Sequence, residues 1–125
     1  MIYWSPMKKI EPFAYALLRV MTGSMFAFHG AQKIIGLLSV SRPPVGSQLW
    51  VGGLIELFGG AAVTFGLGTR WAAFLCSGTM AVAYIQFHWR FRFDSNIFPA
   101  VNHGELAALY CFVFFLIFCR GDAKK

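Results

Sequence analysis

Charge is scarce in this chain. Charged residues make up 13% of its 125 residues, about half the share usual in a soluble domain. So few charges cannot coat a surface with polar groups, and the expected solvent is lipid. Cysteine is also sparse. Cys76, Cys111 and Cys119 stand singly inside apolar runs with no CxxC pair. That excludes a dithiol relay within the chain and leaves the thiols as small hydrophobes. The three histidines form no cluster with cysteine at ligand spacing, so no metal is expected. A dinucleotide fingerprint, a haem-ligand pair, low-complexity stretches and internal repeats are missing too, and no covalently bound cofactor is expected. The net charge of +6 comes from basic residues scattered at segment ends, without a basic stripe. Nucleic acid is therefore not an expected partner. Anchoring at lipid headgroups explains these residues better. Residues 1–9 are polar and aromatic, and the apolar run after them is long enough to stay in a bilayer, so no cleavable signal is expected.

What is abundant is apolar surface: 58% of the residues are hydrophobic. They fall into four runs, at residues 13–38, 46–67, 70–90 and 103–119. Four spans of about 20 residues nearly exhaust the length. The fold class expected is all-α, an integral membrane four-helix bundle, with residues 1–125 as a single membrane domain. Pro12 suits the first position of the first helix. Ser41, Arg42, Pro43 and Pro44 end that run in a loop. Gly66-Leu67-Gly68 is a tight break, and Thr69 can cap the third helix. Asn102 and Glu105 have the spacing of a capping-box variant ahead of the fourth. Trp50, Trp71 and Trp89 near the span ends read as an interfacial belt.

Orientation follows from the basic residues. With both termini cytoplasmic, the inner side holds Lys8, Lys9, Arg70, Arg120, Lys124 and Lys125, six residues. The outer side holds four, Lys33, Arg42, Arg90 and Arg92. The bias favours that arrangement. The outer half then collects the polar side chains: His29, Gln32 and Lys33 from the first helix, Gln48 from the second, Gln86 and His88 from the third, and Asn102, His103 and Glu105 from the fourth. They are expected to converge on a cavity roofed by residues 91–101. The opposing reading is that each reaches interfacial water separately, with Lys33, Arg90 and Arg92 snorkelling to headgroups.

Glu56 is the sharpest single feature. It lies mid-span, where an ionised carboxylate is costly. Gly52, Gly53, Gly59 and Gly60 flank it at helical spacing and would share its face, allowing another helix to approach. Glu56 is therefore expected to point inward and either to have a partner, with Arg19, His29 and Gln32 as candidates, or to be neutral. Arg19 shares a face with Gly23, Phe26, Gly30 and Lys33. Candidates for chemistry are Glu56, His29, His88 and Glu105. Ligand contacts are expected from these and from Arg19, Gln32, Lys33, Gln86, Asn102 and His103.

At these residues the chain resembles the DoxX family of small four-helix membrane proteins. The stretches that carry the likeness are Leu17-Leu18-Arg19 with Gly23, then Phe28-His29-Gly30-Ala31-Gln32-Lys33. Next come Leu54-Ile55-Glu56-Leu57 with Gly59-Gly60, and Gly66-Leu67-Gly68-Thr69-Arg70. Last are His88 and Asn102-His103-Gly104-Glu105. The resemblance implies a bacterial cytoplasmic-membrane protein with both termini inside. For function it implies association with redox proteins: a thiosulfate:quinone oxidoreductase, thiol and superoxide defence, or catechol and quinone stress. Remote relatives act as chaperones or cargo receptors. This chain's lack of paired cysteines departs from a thiol-relay role. Three functions follow in order of preference. The first is a redox-associated membrane component binding a quinone-like amphiphile, with electrons from a membrane or soluble redox partner or from the bound molecule itself. The second is a scaffold or assembly factor for another protein. The third is a small transporter, which would require a homo-oligomer.

Overall fold

The computed structural model describes residues 5–39 and 41–121, all of whose regular structure is helical. Four helices run antiparallel in sequence order. Helix α1 is Ser5–Ile34, α2 is Gln48–Phe65, α3 is Thr69–Ala83 and α4 is Glu105–Arg120. Two stretches are wound more loosely than an α-helix. A π-helical segment, Ile55–Gly59, interrupts α2, and another, Tyr84–Trp89, continues α3. Of these helices, α2 is both long and apolar enough to cross a bilayer by length and composition. Helix α1 has the length but carries Lys8, Lys9, Glu11, Arg19 and Lys33. Helix α4 is apolar but has 16 residues, about 24 Å of rise against a hydrocarbon core of about 30 Å.

Boundaries differ from the apolar runs. Helix α1 starts at Ser5 and takes Pro12 inside it, not at its first position. Proline there costs the hydrogen bond to the Lys8 carbonyl but leaves the backbone helical. The break between α2 and α3 is as expected. Gly66 and Gly68 both adopt left-handed backbone (φ 75° and 56°), and the Leu67 N–H closes back on the Ala62 carbonyl at 2.9 Å. Gly68, not Thr69, occupies the cap of α3, without a side-chain bond. Ser47 caps α2 by accepting the Trp50 N–H.

Bare backbone decides how α1 meets α2. A methyl on Gly30 would lie 2.2 Å from the Leu57 nitrogen, and one on Gly60 would lie 2.6 Å from the Gly23 carbonyl. Helices this close gain dispersion contact that larger residues would forbid. The four glycines around Glu56 do not share one face. Gly53 and Gly60 abut α1, Gly59 abuts Cys76 of α3, and Gly52 faces open space. The π segment supplies the reason: its wider turn rotates the residues after it relative to those before.

The largest fully buried side chains are Phe26, Val63, Cys76, Phe114 and Ile117, with Phe26 tilted against Tyr110 and Phe114 at 5.1 and 4.8 Å. At the end where the chain turns between α2 and α3, Tyr15 donates to the Gly121 carbonyl, Arg120 pairs with Glu11, and the Arg120 guanidinium covers the Tyr15 ring. Much of the exterior is apolar. Phe13, Phe58, Phe65, Trp71 and Phe112 are each more than half exposed.

Candidate functional site

The opposite, loop-rich end encloses a cavity of about 980 Å³ between the four helices. His29, Gln32 and Lys33 line it from α1, Gln48, Gly52 and Glu56 from α2, His88 from the turns after α3, and His103 from just before α4. The remaining wall is largely apolar, including Phe26, Ile55, Met80 and Phe87. Both π-helical segments border it, one carrying Glu56 and the other His88. Such segments recur at functional sites because the widened turn re-aims a side chain.

Glu56 is buried, with 4% of its surface exposed. Its partner is Lys33, whose Nζ lies 2.8 Å from Oε2. None of Arg19, His29 and Gln32 takes that place. Lys33 does not snorkel outward. Its stem passes over bare Gly53, whose missing side chain leaves room for it. The other carboxylate oxygen, Oε1, is buried with no hydrogen-bond partner. A buried acceptor left in this state costs about 1–3 kcal/mol unless something meets it.

Arg19 does other work. It donates to the carbonyls of Val63 and Thr64, two of the four that α2 leaves unbonded at its C-terminus. A cation there also complements the negative end of the helix dipole. It lies about two helical turns from Glu56 along α2 and does not line the cavity.

Asn102 is buried and structural. Its amide donates to the Tyr84 hydroxyl (3.0 Å) and the Asn96 carbonyl (2.9 Å), and its oxygen accepts the Gly104 N–H (2.8 Å). The capping box therefore does not form. The Asn102 oxygen is taken two residues on, His103 turns left-handed (φ 63°), and Gly104 caps α4. Glu105 is exposed and outside the cavity wall. Gln86 is also outside it, bonded to Gln48 across the tops of α2 and α3. Residues 91–101 do not roof the cavity, because none of them lines it. Asn96 instead pins that loop to the His88 and Trp89 carbonyls. His88 and His103 stand at the loop end of the cavity wall. His88 Nδ1 sits 3.2 Å from the Asn102 carbonyl, an acceptor only, so Nδ1 donates in that bond. Arg92 pairs with Asp94 at 3.0 Å, and Arg90 bonds the Phe87 carbonyl.

Sequence reasoning missed Tyr110, which lines the cavity edge-on to His29 at 6.5 Å, and the open backbone at Gly78. Tyr110 was discoverable as the single hydroxyl in the apolar run of α4. Cys76 is buried, Cys111 half-buried and Cys119 exposed, all free. Among the described residues no group of three or more potential ligands could hold a metal ion. Lys124 and Lys125, counted in the charge bias, lie outside the described residues.

Comparison with known proteins adds a relationship. An uncharacterized protein of Haemophilus influenzae (strain ATCC 51907 / DSM 11121 / KW20 / Rd) is 37% identical over 112 residues, 86% of this chain and 83% of that protein. No solved structure matches. The DoxX family profile matches residues 14–89, which include Glu56, Lys33, His29 and His88 but stop short of His103 and Glu105. The chain belongs to the DoxX family, a family of membrane proteins.

Proposed function

We propose that the protein is a four-span bacterial cytoplasmic-membrane component that binds a quinone-class amphiphile in its loop-rich half and serves membrane-associated redox or oxidative-stress chemistry. The observation that carries this reading is the Glu56 Oε1, a buried acceptor without a partner on a residue that lines a largely apolar cavity. Apolar walls with a few convergent polar groups suit a molecule with an apolar body and a polar head. The volume is at the upper end for small-molecule sites, large enough for a substituted ring and the start of a tail. With no cofactor motif in the chain, electrons come from a redox partner protein or from the bound molecule itself. Exposed aromatic residues around the bundle support lipid as the surrounding solvent. Because Lys33 is paired inside, the outer basic residues fall to Arg42, Arg90 and Arg92, which strengthens the case for cytoplasmic termini.

The test is purification in mild detergent from native membranes, followed by organic extraction and absorbance spectroscopy. A quinone near one per chain is expected. An extract holding only phospholipid, with a second protein retained instead, moves the function to scaffolding.

A further inference from the structure

We propose that Glu56 and Lys33 form a head-group site that demands a hydroxyl on the ligand, reached sideways through a slot between α2 and α3. The proposal rests on the amphiphile reading above and narrows it to phenol- and hydroquinone-type heads.

The demand for a hydroxyl comes from the chemistry of the pair. Paired to Lys33 at 2.8 Å, Glu56 is a carboxylate, and both its oxygens can only accept. Oε2 is served by Lys33, and Oε1 is not served at all. A head bearing carbonyl or ether oxygens alone would bury Oε1 deeper without satisfying it. A head bearing O–H satisfies it, and the same oxygen can accept one of the remaining Lys33 protons. The site therefore separates a ring with a hydroxyl from the same ring without one. Applied to a quinone couple, it holds the reduced form more tightly.

The slot comes from the packing. Helices α2 and α3 are held together on either side of a gap. Gly59 meets Cys76 below, and Gln48 bonds Gln86 above. Between those contacts, Gly52 on α2 and Gly78 on α3 both line the cavity, and a Cβ built on either would meet no atom within 4 Å. Val51 and Val82 beside them are exposed, so the gap leads from the cavity to the apolar exterior. An amphiphile can thus enter head first while its tail stays among the exposed apolar side chains.

The experiment compares 4-octylphenol with 4-octylanisole, which differ in whether the head oxygen carries hydrogen. Binding is measured by calorimetry on the purified full chain in detergent. The phenol should bind at least about fivefold more tightly, the lower end of what leaving a buried acceptor unmet costs. In Glu56→Gln the unserved oxygen gives way to an NH₂ donor, and the preference should vanish or reverse. In Gly78→Leu, which fills the slot, both probes should weaken together with their ratio unchanged. Equal affinities for the two probes in the native protein overturn the hydroxyl requirement but leave the amphiphile cavity standing. Failure of both probes to bind the native protein overturns the two together. A preference that survives Glu56→Gln removes Glu56 from the site. Unchanged binding by a folded Gly78→Leu removes the slot.

Discussion

Replacing Gly30 by alanine places one methyl group where α1 and α2 are closest. In the present packing that carbon would lie 2.2 Å from the Leu57 nitrogen, 2.6 Å from its Cα and 2.7 Å from the Gly53 carbonyl. These are backbone atoms, so no rotamer change makes room. Reaching an ordinary contact of 3.4 Å requires the helices to part by roughly 1.2 Å locally. Overpacking of this kind costs about 1–3 kcal/mol, and backbone contact puts it at the upper end. Alanine returns up to about 1 kcal/mol in helix propensity. The clash wins, and a net loss of about 1–2 kcal/mol is expected. The matched control is Gly78→Ala, where the new methyl meets nothing within 4 Å and only the propensity gain remains. Equilibrium unfolding in mixed detergent and SDS micelles, followed by far-UV circular dichroism, compares the two. Gly30→Ala as stable as the native protein, or more so, would refute the close approach on which the α1–α2 interface and the Lys33–Glu56 alignment depend.

Other expectations follow from the polar groups. Glu56→Leu should lower unfolding stability by about 1–3 kcal/mol by stranding Lys33. The double variant Lys33→Met with Glu56→Leu should recover most of that loss, as paired removal of buried charges often does. A double variant weaker than the single would show that the pair is not coupled. Asp94 accepts from the Asn96 N–H first and from Arg92 second, which holds its pKa below 3.8. Its contribution to loop order is therefore complete above pH 3.8 and lost as pH falls through the lower folded value. NMR titration of its carboxyl carbon should give a midpoint below 3.8, and a midpoint at or above that value contradicts the loop geometry. Reporter fusions after Gly68 and Lys125 should report cytoplasm, and fusions at Arg42 and Ser95 the outer side. A fusion at Lys125 exposed outside would invert the topology.

The helical architecture was legible because four apolar runs separated by Gly and Pro signals leave little other use for the chain. The burial of Glu56 was legible too, since a mid-run carboxylate flanked by glycines has few alternatives. Its partner was not. Lys33 sits near a helix end, where a long stem can turn outward to headgroups or inward across a neighbour. The choice is made by the room above Gly53, a tertiary feature that spacing along α1 does not encode. Arg19 looked like a second member of an ion pair, yet the unbonded carbonyls at the end of α2 compete for the same guanidinium. The π-helical segments left no periodic signature, because one extra residue in a turn hardly disturbs an apolar run. They nonetheless spread the four glycines over different faces and set Glu56 and His88 on the cavity wall. The Asn102–Glu105 spacing misled because Tyr84, Asn96 and Gly104, distant from that motif or within it, claim the Asn102 side chain first.

Photo-crosslinking decides whether an amphiphile places its polar head beside Glu56. A 4-alkylphenol with a diazirine on the carbon next to the ring, irradiated with the purified protein and mapped by peptide mass spectrometry, reports where the head rests. Labels concentrated on residues 48–56 of α2 and 78–83 of α3, competed away by unlabelled 4-octylphenol and lost in Glu56→Leu, are the predicted result. Labels spread over outward-facing residues such as Phe112 and Phe58, indifferent to competitor and to Glu56, would contradict it.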